Sequence, residues 1–234
     1  MKARAPRILM PGTALEGRGG VAALVAVLRT GGLFEQHRVR HVSIHREGSL
    51  LARLGAAASR FRQAVGSCLW RRPAVVHAHA ASHASSARKS LLLWLARCAA
   101  CQAIVQLQGG GFRQFATVRS SALMRRWIRH TLERSSLVIA LSDGRAGFVR
   151  GFAPRARVTM GPNAVALPPT VLHRTEPGRA LFLGRVEAAK GVAEDAGLRE
   201  RLGDSARARV AQHYSTQAVC GRLAAIYNEL AGAR

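Results

Sequence analysis

Up to Gly161, short aliphatic and β-branched runs alternate with longer stretches whose apolar positions recur at helical spacing. Strand-type runs lie at 7–10, 37–45, 74–80, 103–108, 137–142 and 157–161. Helical patterns occupy 21–30, 50–70, 82–100, 120–134 and 143–152. Such alternation predicts α/β architecture, with an open parallel sheet covered on both faces, because each strand returns in the same direction only through a crossover helix. Right-handed crossovers then make the sheet Rossmann-like.

After 162 the pattern changes. Residues 163–178 are polar and carry Pro168, Pro169 and Pro177, the composition of a linker. One further strand is expected at 179–183. Beyond it only helical periodicity remains: Leu198, Leu202, Ala206, Val210 and Tyr214 recur every four residues. Ser215 then caps a last helix with Val219, Leu223, Ile226, Tyr227 and Leu230 on one face. The expected organisation is a Rossmann-like domain over 1–162, a linker over 163–178, and a rudimentary, mostly helical second domain over 179–234. A complete second sheet would need several strand–helix–strand units of about 30 residues each, and that length is not there. The terminal helices are therefore expected to pack on the first domain.

Charge adds a second constraint. Lys and Arg number 36 against 12 Asp and Glu, a formal +24, and nearly all of the cations are Arg. Between Glu47 and Asp143 the only acid is Glu133. A field of this sign attracts anionic lipid head groups, phosphorylated substrates or nucleic acid. Scattered arginines that simply solvate the surface give the same totals. No helix-turn-helix, zinc module or aromatic stacking platform accompanies them, so nucleic acid is not expected as a partner. Cys68, Cys98, Cys101 and Cys220 are too few and too irregular for a disulfide framework. Cys98 and Cys101 fall inside an apolar helical run, where small buried core cysteines are expected, and not at a helix start where a reactive thiol belongs. The apolar run after the basic N-terminus is too short for a signal peptide, and the stretch 91–105 is broken by Arg97. The expected location is cytoplasmic, either soluble or peripheral at the inner face of the membrane.

Several segments then stand in a familiar order. They are Arg18-Gly19-Gly20-Val21, Val76-His77-Ala78-His79 running on to Arg88-Lys89-Ser90, and Gln108-Gly109-Gly110-Gly111-Phe112. The strand at 137–142, Gly161-Pro162-Asn163-Ala164-Val165 and Gly184-Arg185-Val186-Glu187-Ala188-Ala189-Lys190-Gly191 follow. Together they resemble the family 4 glycosyltransferases, two-domain GT-B enzymes of exopolysaccharide and lipid-linked glycan assembly. The resemblance implies a retaining transfer of sugar from a nucleotide-diphosphate sugar to a saccharide or lipid-linked acceptor. The nucleotide sugar is then a co-substrate, and no cofactor or metal is implied. Arg185 and Lys190 correspond to the donor-diphosphate loop, where cations would stabilise the charge of the leaving group. Gly19 and Gly20 open a helix after the first strand, a place that suits an anion or serves as a simple tight turn. His79, Arg88, Lys89, Gly109 and Gly110 fall on the acceptor side. His77 and His79 share a strand face and are expected to line the cleft. Arg88 and Lys89 either meet a phosphorylated acceptor or lie on a solvated helix face.

Two departures from the family pattern stand out. Gln108 occupies the catalytic-side position usually held by His, and Gln106 stands where a second His is common; an amide neither accepts a proton nor becomes cationic. Past Lys190-Gly191-Val192 the chain passes within a few residues to Leu198-Arg199-Glu200-Arg201-Leu202-Gly203, which resembles the family's C-terminus. On the order of a hundred residues of donor domain are absent from between them, judged by ordinary domain size. The Glu-x7-Glu stretch that holds the nucleotide is among them. An impaired transferase is the leading expectation; the alternative is a non-catalytic remnant that binds an acceptor, a membrane or a partner subunit.

Overall fold

The computed structural model describes residues 8–13, 20–45, 59, 62–70, 72–80, 84–166 and 209–233. Within them six strands form one parallel sheet: β1 (Ile8–Thr13), β2 (Val39–His45), β3 (Val75–Ala80), β4 (Gln102–Leu107), β5 (Leu137–Ala140) and β6 (Val158–Met160). The strand order is β2-β1-β3-β4-β5-β6, and every neighbouring pair is parallel. The sheet winds one way from β1 to β2 and the other way from β3 onward. Its switch point therefore lies between β1 and β3, the place where sheets of this kind bind ligands at their carboxyl edge.

The helices are α1 (Gly20–Thr30), α2 (Leu33–Gln36), α3 (62–70), α4 (Ala84–Cys98), α5 (Phe112–Gln114), α6 (Ala122–Glu133), α7 (Asp143–Phe152) and α8 (Thr216–Gly232). Alternate strand residues feed two cores, as the two-residue period of a strand requires. Leu9, Val76, Ala78, Val105, Leu107 and Val138 pack with α3, α4, α6 and α7 on one face. Ile8, Met10, Val75, Ile104, Leu137 and Ile139 pack with α1 and α8 on the other.

Local chemistry sets the helix ends. Gly32, at φ 79°, lies in the left-handed region and ends the α1 segment; a Cβ on the preceding Gly31 would lie 2.6 Å from Thr216 Cγ2 and 2.7 Å from Cys220 Sγ. That missing side chain lets α8 seat against α1. Ser121 Oγ accepts from Met124 N at 3.3 Å and starts α6, and Ser215 Oγ does the same for Ala218 N at the start of α8. Val165 N donates to the Tyr214 carbonyl at 2.8 Å, tying the start of α8 to the chain beyond β6.

Most expected elements form, with shifted ends. The strands expected at 137–142 and 157–161 shorten to β5 and β6, where sheet pairing stops. Two short helical pieces escape the periodicity: α2, and α5 with its π-helical continuation Phe115–Arg119. Of the last helix's expected face, Val219, Leu223, Tyr227 and Leu230 are buried together with Cys220, while Ile226 is half-buried. Cys98 corrects the cysteine expectation. It is exposed near the end of α4, whereas Cys68, Cys101 and Cys220 are buried, and all four are free thiols. The linker at 163–178 beyond Ala166 and the strand at 179–183 lie outside the described residues.

Candidate functional site

On the face covered by α1 and α8, the sheet is apolar at its amino edge and polar toward its carboxyl edge. Ile8, Val75, Ile104 and Leu137 give way along the strands to His41, His77, His79, Gln106 and Gln108. Polar side chains in a buried sheet are costly unless bonded, and here they bond mainly to one another. Gln108 Nε2 donates to Asn163 Oδ1 at 2.9 Å, and Asn163 Nδ2 returns a bond to Gln108 Oε1 at 3.0 Å. Gln106 Nε2 reaches the same Asn163 Oδ1 at 3.3 Å, and Gln108 Nε2 stands 3.4 Å from His79 Nδ1. One layer deeper, His77 Nδ1 and the Tyr227 hydroxyl share a 2.6 Å hydrogen bond, and Tyr227 meets His37 edge-on. The network stitches β3, β4, the segment after β6 and α8 at the carboxyl edge of the sheet.

The histidines are held neutral. Burial lowers His77 to about 4, partly offset by the Gln106 amide. Burial, and then the basic groups His77, Lys89 and His41 beside it, drive His79 well below the ordinary imidazole value. His41 is lowered by burial and by Arg29. Gly12 makes room for His41, since a Cβ there would lie 2.6 Å from His41 Nε2. His41 Nε2, His77 Nε2, His79 Nε2 and Gln106 Oε1 are buried without a hydrogen-bond partner. The cluster offers neutral donors and acceptors at the carboxyl edge of the sheet. Among the described residues no group of three or more His, Cys, Asp or Glu side chains is placed to hold a metal ion.

The structure brings some of the expected residues together. Gln108, His79, Gly109 and Gly110 meet at the ends of β3 and β4; Gly109 adopts φ +79°, which lets the chain turn sharply off the sheet edge. His77 and His79 do not line an open cleft as expected: both are fully buried, His77 beneath Tyr227 of α8 and His79 beside Gln108. Lys89 is buried too, and its ammonium donates to the His79 carbonyl. Arg88 lies on α4, with its side chain outside the described residues. Gly20 is the exposed first residue of α1, with open space where a Cβ would stand. Gly19, Arg185 and Lys190 lie outside the described residues.

Asn163, Tyr227, His37 and His41 are not among the site residues expected from sequence. Asn163 has one visible signal, an amide directly after the Gly-Pro that follows the last strand. Tyr227 reads as one more apolar position on α8, and nothing local marks its hydroxyl. A cavity of about 270 Å³ adjoins the Gly109–Gly110 turn, lined by Leu107, Phe112, Arg113, Ser142, Arg145 and Phe148 among others.

The architecture is that of a generic nucleotide-binding α/β domain. Compared with known protein-family models and with curated proteins, the chain matches none of them.

Proposed function

We propose that this chain is a glycosyltransferase of the GT-B type in which the sheet domain receives the acceptor and the donor half is reduced. The observation that carries the reading is convergence. Segments that resemble family 4 glycosyltransferases, around His79, Gln108–Gly111 and Gly161–Asn163, lie far apart in the chain yet end in one hydrogen-bonded cluster at the carboxyl edge. In this reading the Gln108–Asn163 pair and His79 orient a saccharide or lipid-linked acceptor, as neutral hydrogen-bonding groups. Arg185 and Lys190 attract the diphosphate of a nucleotide sugar. A pair of cations contributes little without a pocket that excludes water. The α6 face rests on an anionic membrane at its cytoplasmic side.

Titration calorimetry of the full chain with UDP-sugars and GDP-sugars tests the donor side. Weak or no binding is expected, together with turnover far slower than that of a complete enzyme. Tight binding abolished by Arg185→Ala and Lys190→Ala would establish an intact donor site and overturn the reading of a reduced donor half.

A further inference from the structure

The cavity beside the Gly109–Gly110 turn lies apart from the buried histidine network, on the opposite face of the sheet edge. Its floor is apolar: Leu107 comes from β4, and the Phe112 and Phe148 rings meet edge to face with centroids 6.5 Å apart. Its rim is cationic. Arg113 lies over the Phe148 ring at 5.8 Å, and Arg145 lines the wall from the first turn of α7. Arg145 Nη1 is shut away from solvent and has no hydrogen-bond acceptor. A buried guanidinium nitrogen without an acceptor is an exception that calls for a missing anion or water. The Ser142 hydroxyl also lines the cavity and makes no capping bond to α7. Gly109, Gly110 and Gly144 line it as well, and no atom lies within 4 Å of where a Cβ would stand on any of them.

We infer that this cavity binds one saccharide unit bearing an anionic group, a phosphate or a carboxylate, with the sugar ring against Phe112 and Phe148 and the anion on Arg113 and Arg145. The inference rests on the proposed acceptor role of this sheet edge and names the chemistry that the acceptor would carry there. Size supports a single unit, since pockets for drug-sized ligands start at about 300 Å³. Chemistry supports the anion, because a guanidinium fork pairs with phosphate or carboxylate through parallel hydrogen bonds.

The experiment is direct binding to the full chain, without donor, of glucose 1-phosphate, glucuronate, inorganic phosphate and glucose. Both anionic sugars, or one of them, should bind at least tenfold more tightly than glucose, and more tightly than phosphate alone. Preference for one of the two identifies the anion. Arg113→Gln, a change on an exposed side chain, should lower that affinity, and Arg145→Gln should lower it further, whereas Arg155→Gln, on an exposed side chain just past α7, should leave it unchanged. If Arg145→Gln does not fold, Arg113→Gln alone carries the comparison. Equal binding of glucose and the anionic sugars overturns the inference, as does full affinity in Arg113→Gln. Because no transfer is measured, a chain that binds anionic sugars but never transfers would overturn the glycosyltransferase reading and leave this site standing. Transfer to neutral acceptors with no binding of anionic sugars would do the reverse.

Discussion

At the scale of single residues, the carboxyl edge is organised by amides and neutral imidazoles. Asn163 is the hub: its side chain bonds Gln108 in both directions and also receives Gln106. Gln106 and Gln108 are almost wholly buried, so removing their partner leaves amides in the sheet without compensation. Asn163→Ala should cost about 1–3 kcal/mol. In a chain of this size each kcal/mol lowers the melting temperature by about 2–4 °C, and a melt unchanged from the parent would count against the network. The histidines make a separate prediction in pH. In the unfolded chain they titrate near 6.5, whereas in the fold His77 is held at about 4 and His79 well below the ordinary value, chiefly by burial. As pH falls through about 6.5 the unfolded chain therefore takes up protons that the folded chain refuses, and stability falls with it. The loss begins below about 6.5 and continues to about 4, where His77 protonates in the fold as well; above about 7 these two residues add no slope. Urea melts across this range should show the decline, and His77→Gln should make it shallower. A flat profile from about pH 7 to about pH 5 would refute neutral burial.

At the scale of elements, α8 is the piece whose role was most legible in advance. Ser215 as cap and the spacing of Val219, Leu223, Tyr227 and Leu230 predict a one-faced helix, and the structure seats that face on α1 and the sheet. Leu223→Ala should destabilise by about 2–5 kcal/mol. Deleting 215–234 should expose the core formed by Ile8, Met10, Val75 and Leu28, lower solubility and lower the melting temperature. An unchanged melt of the shortened chain would show that α8 does not complete that core. The exposed Arg157–Glu229 bridge, 2.6 Å long, is no substitute, because surface ion pairs contribute at most about 1 kcal/mol. The strands and long helices were legible because burial on both faces of a parallel sheet writes continuous apolar runs into the chain. Short pieces such as α2 and α5 carry too few residues to display a period. The candidate site was legible only in part. Gln108 and His79 announce themselves as polar positions at the ends of apolar strands, but Asn163 joins Gln108 across 55 residues, and no local pattern encodes that meeting. Nor did the run containing Cys98 reveal that the helix turns this side chain outward while Cys101, after the left-handed Ala100, turns in.

At the scale of the whole molecule, charge is the dominant fact. The formal +24 leaves the stretch between Glu47 and Asp143 with Glu133 as its only acid. The structure gathers part of this charge around α6. Arg125, Arg126 and Arg129 line an open cleft of about 620 Å³ with His130, Glu133 and Phe152. Close by, Val118 and Leu123 stand 74% and 79% exposed. Cations beside exposed aliphatic side chains are the pairing that an anionic bilayer surface receives, through head-group attraction and shallow apolar burial. Among the described residues no helix is long and apolar enough to cross a membrane. Sedimentation with vesicles checks that pairing. The chain should pellet with vesicles rich in anionic phospholipid and stay in solution with neutral ones, and added salt should release it, since surface attraction falls off within a Debye length. Each arginine near the surface contributes about 1 kcal/mol. Replacing Arg125, Arg126 and Arg129 by Gln should then weaken partitioning by about a hundredfold, while Leu123→Ser should weaken it with little change in salt dependence. Equal sedimentation with neutral and anionic vesicles at low salt would show that the positive field serves solvation alone.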